Sequence, residues 1–235
     1  MLNENFFINQ PVFLKYKRYF DWKALRRKSF LKKVVVNERI VEIPFVIKEL
    51  SAIPVNSKIL DIGCMESELP LFISGLGYQV TGFDFREYPY KMPNFKFVKG
   101  DILNLPFDNN MFDSVVCVST IEHVGIGFYG DPKGDMAPDI KGVQEIRRIL
   151  KTKGLFILTV PFGKSQINKQ QRIYDEQAVK KLLEGYEVKN MKYYKNITVD
   201  SGNNYWQETD LAEAMLIESI SGADCICCVS AVNQE

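Results

Sequence analysis

The chain has 235 residues, of which 46% are hydrophobic and 25% charged. That composition supports one packed α/β domain with an added N-terminal segment, and it excludes a disordered chain. The formal net charge of +1 carries none of the basicity of a nucleic-acid-binding protein, so no nucleic-acid partner is expected.

The first fifty residues read as helices. Phe13, Leu14, Tyr16, Phe20, Leu25 and Leu31 interleave with Lys15, Lys17, Arg18, Lys23, Arg26, Arg27, Lys28, Lys32 and Lys33, opposed only by Asp21. Ile40, Ile43, Phe45, Val46 and Leu50 continue at helical spacing, with Pro44 expected as a break or first-turn residue. Met1 to Gln10 lacks a basic start followed by a long apolar run, so no secretory leader is expected. No stretch reaches the length of a membrane span.

After Pro54 short apolar strands alternate with helices. Strands are predicted at Lys58 to Ile62, Tyr78 to Phe83, Phe95 to Val98, Phe112 to Val118, Leu155 to Val160, Tyr186 to Tyr194 and Asp224 to Val232. Helices are predicted at Ser67 to Leu76, Ile140 to Leu150, Glu176 to Leu183 and Leu211 to Ile220. The alternation implies a mostly parallel seven-stranded sheet with helices on both faces, a Rossmann-like α/β fold. The chain divides into an N-terminal helical extension or lid over residues 1–54 and the α/β domain over 55–235.

In such sheets ligands bind beyond the C-terminal ends of the strands. The first strand ends in Asp61-Ile62-Gly63-Cys64, where Gly63 allows close backbone approach and the next helix offers free N–H groups. The second ends in Phe83-Asp84-Phe85, an acid about twenty residues after the glycine turn and suited to two ribose hydroxyls. The third is followed by Asp101-Ile102, an acid for an exocyclic amine and an apolar residue for a base. One acid after a strand is more often a turn or cap residue. Three in order at three successive strand ends are harder to explain that way.

Taken together, ILDIGC, VTGFD, FVKGDILNLPFDNNMFDSVVCVSTIEHV and EIRRILKTKGLFILTVPFG resemble the core of the class I S-adenosylmethionine-dependent methyltransferases, over roughly residues 55 to 163. The segment Glu122-His123-Val-Gly-Ile-Gly-Phe-Tyr-Gly-Asp131-Pro is similar to an uncharacterised methyltransferase-like family. The resemblance implies S-adenosyl-L-methionine as cofactor. It places Asp61, Gly63 and Cys64 at the methionine part, Asp84 with Phe83 and Phe85 at the ribose, Asp101 and Ile102 at the adenine, and Ser119 and Thr120 near the sulfonium. Asp113 is read as structural. Met65 and Ser67 stand where the usual Asp-x-Gly-x-Gly-x-Gly loop has its second and third glycines. That departure counts against a dinucleotide, whose pyrophosphate needs close approach at several glycines.

Methyl transfer from a sulfonium is an in-line displacement, and a base helps when the acceptor is a hydroxyl or ammonium. The single histidine, His123, follows the fourth strand with Glu122 before it, and the two are the catalytic candidates. His123 as a turn cap or a partner of a backbone carbonyl is the competing reading. Residues 125–139 hold four glycines and are read as part of an acceptor pocket or lid. The expected acceptor is a small molecule or glycan. A catalytically weak or inactive adenosyl-binding protein is the alternative, and an NAD-dependent oxidoreductase a third. The basic segment 13–33 is read as a helix packing over the cofactor, with contact to an anionic acceptor or surface second. Cys225, Cys227 and Cys228 lack paired metal-ligand spacing and are read as core, so no metal is expected. Five cysteines without a disulfide framework point to a reducing cytoplasmic setting.

Overall fold

A computed structural model describes residues 37–65, 67–130, 137–199, 203–219 and 222–234. The basic segment 13–33 and residues 131–136 of the long loop lie outside them. The chain divides into two compact units, Met1–Asn37 with Ile197–Tyr205 and Glu38–Asn196 with Trp206–Glu235. Every site residue discussed below belongs to the second.

The described residues open with helix α1 (Arg39–Leu50), followed by β1 (Lys58–Ile62), α2 (Leu69–Gly75), β2 (Gln79–Asp84), β3 (Phe95–Lys99) and β4 (Phe112–Val118). Helix α3 (Pro138–Ile149) leads into β5 (Leu150–Pro161), and a small hairpin pairs β6 (Gln166–Ile167) with β7 (Arg172–Ile173). Helix α4 (Glu176–Leu182), β8 (Tyr186–Val199), β9 (Asn203–Thr209), the single turn α5 (Leu211–Ala214) and β10 (Cys225–Asn233) complete the order. The main sheet runs β3-β2-β1-β4-β5-β10-β8-β9. The pairs from β3 to β5 are parallel, and β10 is antiparallel to both β5 and β8.

Five of the seven residues of β4 form an unbroken buried run, as a strand covered on both faces must. Helix α3 buries Val143, Ile146 and Ile149 at a helical period against one face, while α1 and α2 contribute Phe45, Val46, Leu50, Leu69 and Ile73 to the other. β10 feeds both cores: Cys225 and Cys227 point into the first and Cys228 into the second, all three thiols being free and buried. Among the described residues no helix is long and apolar enough to cross a membrane.

Three expectations are corrected. The sheet has eight strands, not seven. The added β9 is a polar edge strand in which, among the described residues, only Trp206 packs on the core, so it carries no apolar run to read. The helix expected over Leu211 to Ile220 stops after one turn because the chain turns to other partners: the Ile217 carbonyl accepts the Lys164 N–H at 2.8 Å, and the Ser219 carbonyl accepts Gln166 Nε2 at 2.6 Å. Pro44 neither breaks nor starts a helix but lies inside α1. It removes the hydrogen bond to the carbonyl of Ile40, a residue 57% exposed, where water can replace it.

Candidate functional site

The loops beyond β1, β2, β3 and β4 lie at the C-terminal ends of the parallel strands. Asp61 is 2% exposed, and its Oδ2 has no hydrogen-bond partner among the described residues. Burial, reinforced by Asp84 and opposed by Arg39, raises its carboxyl to about 8. Gly63 has φ +76°, and a Cβ there would lie 2.1 Å from Thr120 Oγ1. The β1 and β4 ends therefore approach as closely as only glycine allows. The Cys64 thiol is packed against Gly82 of β2.

Asp84 closes the turn after β2. Its Oδ2 accepts the Met65 N–H at 3.1 Å, and its Oδ1 accepts the Arg86 N–H at 2.9 Å. Met65 thus replaces a glycine in sequence while tying the β1 loop to β2, and the Ser67 hydroxyl accepts the Leu69 N–H at 3.1 Å just before α2. Phe83 points its ring into the core beside Phe107, whereas Phe85 is 38% exposed under the Arg86 guanidinium. Asp101 accepts the Leu103 N–H at 2.9 Å and caps the 3-10 turn Ile102–Asn104. Gly142 lets α3 come against this turn and the next: a Cβ would sit 3.1 Å from Ile121 and 3.4 Å from Ile102.

Beyond β4 the backbone takes a left-handed step at Ser119 (φ 41°), stabilised by two neighbours. The Ser119 N–H donates to Thr159 of β5, and its hydroxyl donates to Glu42 Oε1 at 2.6 Å. Thr159 Oγ1 donates to the same oxygen at 2.6 Å, while Arg39 Nη1 donates to Glu42 Oε2 at 2.6 Å. A fully buried glutamate of α1 therefore fixes the ends of β4 and β5, compensated by two hydroxyls and a guanidinium. The Thr120 hydroxyl donates to the Val118 carbonyl at 2.9 Å.

The 3-10 turn Ile121–His123 follows. Glu122 is 1% exposed; burial raises its carboxyl to about 8, and nearby Glu42 adds to the shift. Its Oε2 has no hydrogen-bond partner among the described residues, and its Oε1 lies 3.8 Å from His123 Nε2. His123 Nδ1 is 2.6 Å from the Gln170 carbonyl oxygen. The imidazole meets the edge of Tyr129 at 5.1 Å between centroids and stacks on Phe128 at 6.2 Å. Arg86 lies 4.7 Å over the Tyr129 ring, so one side chain bridges Asp84 and the aromatic group. Beside this group a cleft of about 530 Å³ is lined by Ile126, Gly127, Ile167, Asn168 and Lys169. Asp113, read as structural, accepts the Lys58 N–H at 2.8 Å and Lys151 Nζ at 2.6 Å at the far end of the sheet.

Sequence reasoning passed over Glu42, Arg39, Thr159, Arg86 and Arg172. Only Glu42 carried a signal: it is an acid at the i, i+3, i+4 spacing of the apolar face formed by Phe45, Val46 and Leu50.

The sheet order and its antiparallel β10 define the fold of the class I S-adenosylmethionine-dependent methyltransferases. The Burkholderia thailandensis 1,6-didemethyltoxoflavin-N1-methyltransferase, solved with 1,6-didemethyltoxoflavin and S-adenosylhomocysteine bound, superimposes with a TM-score of 0.57 at 15% identity, covering 83% of this chain and 79% of that one. Residues 91–208 match the family described as "Caenorhabditis protein of unknown function, DUF268", and the chain belongs to that family. Among curated relatives, it is 31% identical over 112 residues to a sterol 24-C-methyltransferase of Gibberella zeae, covering 42% of this chain and 26% of that protein. It is also 31% identical over 112 residues to the demethylmenaquinone methyltransferase of Staphylococcus epidermidis, covering 43% of this chain and 42% of that protein. The matched stretch therefore spans less than half the length of either relative.

Proposed function

We propose that this chain is an S-adenosylmethionine-dependent methyltransferase acting on a small-molecule or glycan-type acceptor, with His123 as general base and Glu122 as its carboxyl neighbour. The observation that carries the reading is the placement of Asp61, Asp84 and Asp101 at the ends of three adjacent parallel strands of a methyltransferase-type sheet. The residues suit the cofactor. Asp61 Oδ2 is a buried acceptor that an ammonium group would satisfy. Each Asp84 oxygen already takes a backbone N–H and retains acceptor capacity for a ribose hydroxyl. Asp101 Oδ1 takes one N–H and keeps the same capacity for an adenine amine, with Ile102 beside it. When bound, the cofactor supplies an electrophilic methyl group on a sulfonium.

The chain's own part is positioning and proton transfer. Ser119 and Thr120 are held at the sheet edge by Glu42, Thr159 and Val118, which fixes the wall against which the reacting groups lie. A backbone carbonyl only accepts, so the 2.6 Å contact to Gln170 requires the proton on Nδ1 of His123. In the neutral ring Nε2 then carries the lone pair that takes a proton, with the Glu122 carboxyl 3.8 Å away.

Titration calorimetry with S-adenosylhomocysteine and with NAD tests the reading. Binding of the first and none of the second is expected; binding of NAD alone would overturn it. A second reading, an adenosyl-binding protein with little or no turnover, draws support from Met65 and Ser67 standing where the glycine loop has its second and third glycines. Ligand binding without methyl transfer to any of a panel of hydroxyl, amine and carbon acceptors would favour it.

A further inference from the structure

The hairpin β6–β7 touches the candidate base from two sides. Its tip presents the Gln170 carbonyl to His123 Nδ1 at 2.6 Å. Its second strand carries Arg172, whose Nη1 donates to the Val124 carbonyl at 2.6 Å and the Glu122 carbonyl at 3.3 Å. These carbonyls flank His123, and among the described residues no backbone N–H donates to either. The His123 carbonyl between them accepts the Ile126 N–H, and the His123 N–H reaches back to Thr120. A short 3-10 turn leaves such carbonyls without partners, and here one guanidinium serves both.

Arg172 is itself held. Its Nε lies 3.7 Å from Asp139 Oδ2, which also accepts the Tyr174 hydroxyl at 3.1 Å, and its side chain is 13% exposed. The tip is fixed independently. Asn168 Oδ1 accepts the N–H groups of Gln170 and Gln171 at 2.8 and 2.9 Å, and the Asn168 N–H donates to the Gln171 carbonyl at 3.0 Å. Gln166 and Gln171 anchor the hairpin to the carbonyls of Ser219 and Gly222.

We propose that the β6–β7 hairpin selects which imidazole nitrogen of His123 acts as the base, and that Arg172 is the positioning residue. This rests on His123 being the base. Arg172 fixes the backbone on both sides of the histidine. That sets the ring where the Gln170 carbonyl takes the Nδ1 proton, and Nε2 is left as the basic nitrogen facing Glu122. A neutral histidine in water exchanges its proton between both nitrogens; a fixed carbonyl removes that freedom.

The chain has one histidine, so imidazole nitrogen shifts measured on the ¹⁵N-labelled full chain come from His123 alone. Above the titration of the ring, the wild type is expected to show a protonated Nδ1 and an unprotonated Nε2. In Arg172→Met the two nitrogens should converge toward averaged shifts, and Arg172→Lys should restore part of the difference. If Arg172→Met does not fold, Asn168→Ala, which loosens the tip without touching the guanidinium, is read the same way and should also converge. A wild type with its proton on Nε2 overturns the proposal. So does a wild-type pattern retained in every folded variant. The measurement needs no turnover. Unchanged methylation in His123→Ala would therefore remove the base reading while leaving the hairpin's effect on the tautomer measurable.

Discussion

The two halves of the candidate site are built from different distances along the chain. At the ends of β2 and β3 the acids find partners nearby: Asp84 to Arg86 and Asp101 to Leu103 are each two residues apart, and Asp84 to Met65 is nineteen. Around β4 the partners are remote. His123 and Gln170 are 47 residues apart, Arg172 and Val124 are 48, Ser119 and Glu42 are 77, and Thr159 and Glu42 are 117. The first half is a set of strand-end turns that local sequence can specify. The second exists only once α1, the hairpin and the sheet have packed. Damage to the first should therefore be confined to ligand affinity, except where two strands touch. Damage to the second should spread into stability and proton affinity.

Gly63→Ala tests the point of contact between the halves and should have the largest effect. It combines a positive φ with a Cβ driven into Thr120, and a loss of about 2–5 kcal/mol is expected in urea unfolding. Thr120→Ala in the same background should recover part of it; an unchanged midpoint for Gly63→Ala would show that the strand ends do not meet as described. Glu42→Ala leaves Arg39 and two hydroxyls without their shared partner. It should cost about 2–3 kcal/mol although it lies far in sequence from every motif. A cost below about 0.5 kcal/mol would mean that the remote network is decorative.

Asp84→Ala should weaken S-adenosylhomocysteine by about 10- to 100-fold in calorimetry, since a charged acceptor of two ribose hydroxyls is lost. Equal affinity would move the ribose elsewhere. A pH dependence is expected as well. Glu122 rises from 4.5 to about 8 on folding, so the folded chain holds a proton that the unfolded chain releases across that interval. The stabilisation is complete below 4.5 and is lost as pH rises through 8, by at most about 1.4 kcal/mol per unit. Asp61 behaves alike from 3.8 to about 8. Glu122→Gln should therefore lose less stability than the wild type between pH 6 and 8; parallel curves would show that Glu122 is not held neutral.

The same contrast explains what the sequence disclosed. Lys58–Ile62 and Phe112–Val118 are strands over the predicted residues because their burial on both faces leaves an apolar run that needs no context. The three strand-end aspartates were legible for the same reason, since each lies within two residues of the last residue of its strand. β9 was not, because an edge strand with polar Gln207, Glu208 and Thr209 has no periodic apolar signal. Asp101 shows how a functional and a structural reading coincide: it caps its own turn, as an isolated aspartate after a strand usually does, and still stands at the third strand end. The resemblance placed Phe83 and Cys64 beside the cofactor. Position does not reveal side-chain direction, and both side chains turn into the core. Arg172 had no signal at all, because nothing in its neighbourhood marks it as the donor to carbonyls 48 and 50 residues earlier.

The most direct test of the methyltransferase reading is a crystal structure of the full chain with S-adenosylhomocysteine. The predicted result is an adenosyl group across the ends of β1 to β3, with both ribose hydroxyls on Asp84, the amino group within hydrogen-bond distance of Asp61 and the sulfur facing the turn at Ser119 and Thr120. An adenosyl group bound away from these strand ends, or none at saturating ligand, would contradict it.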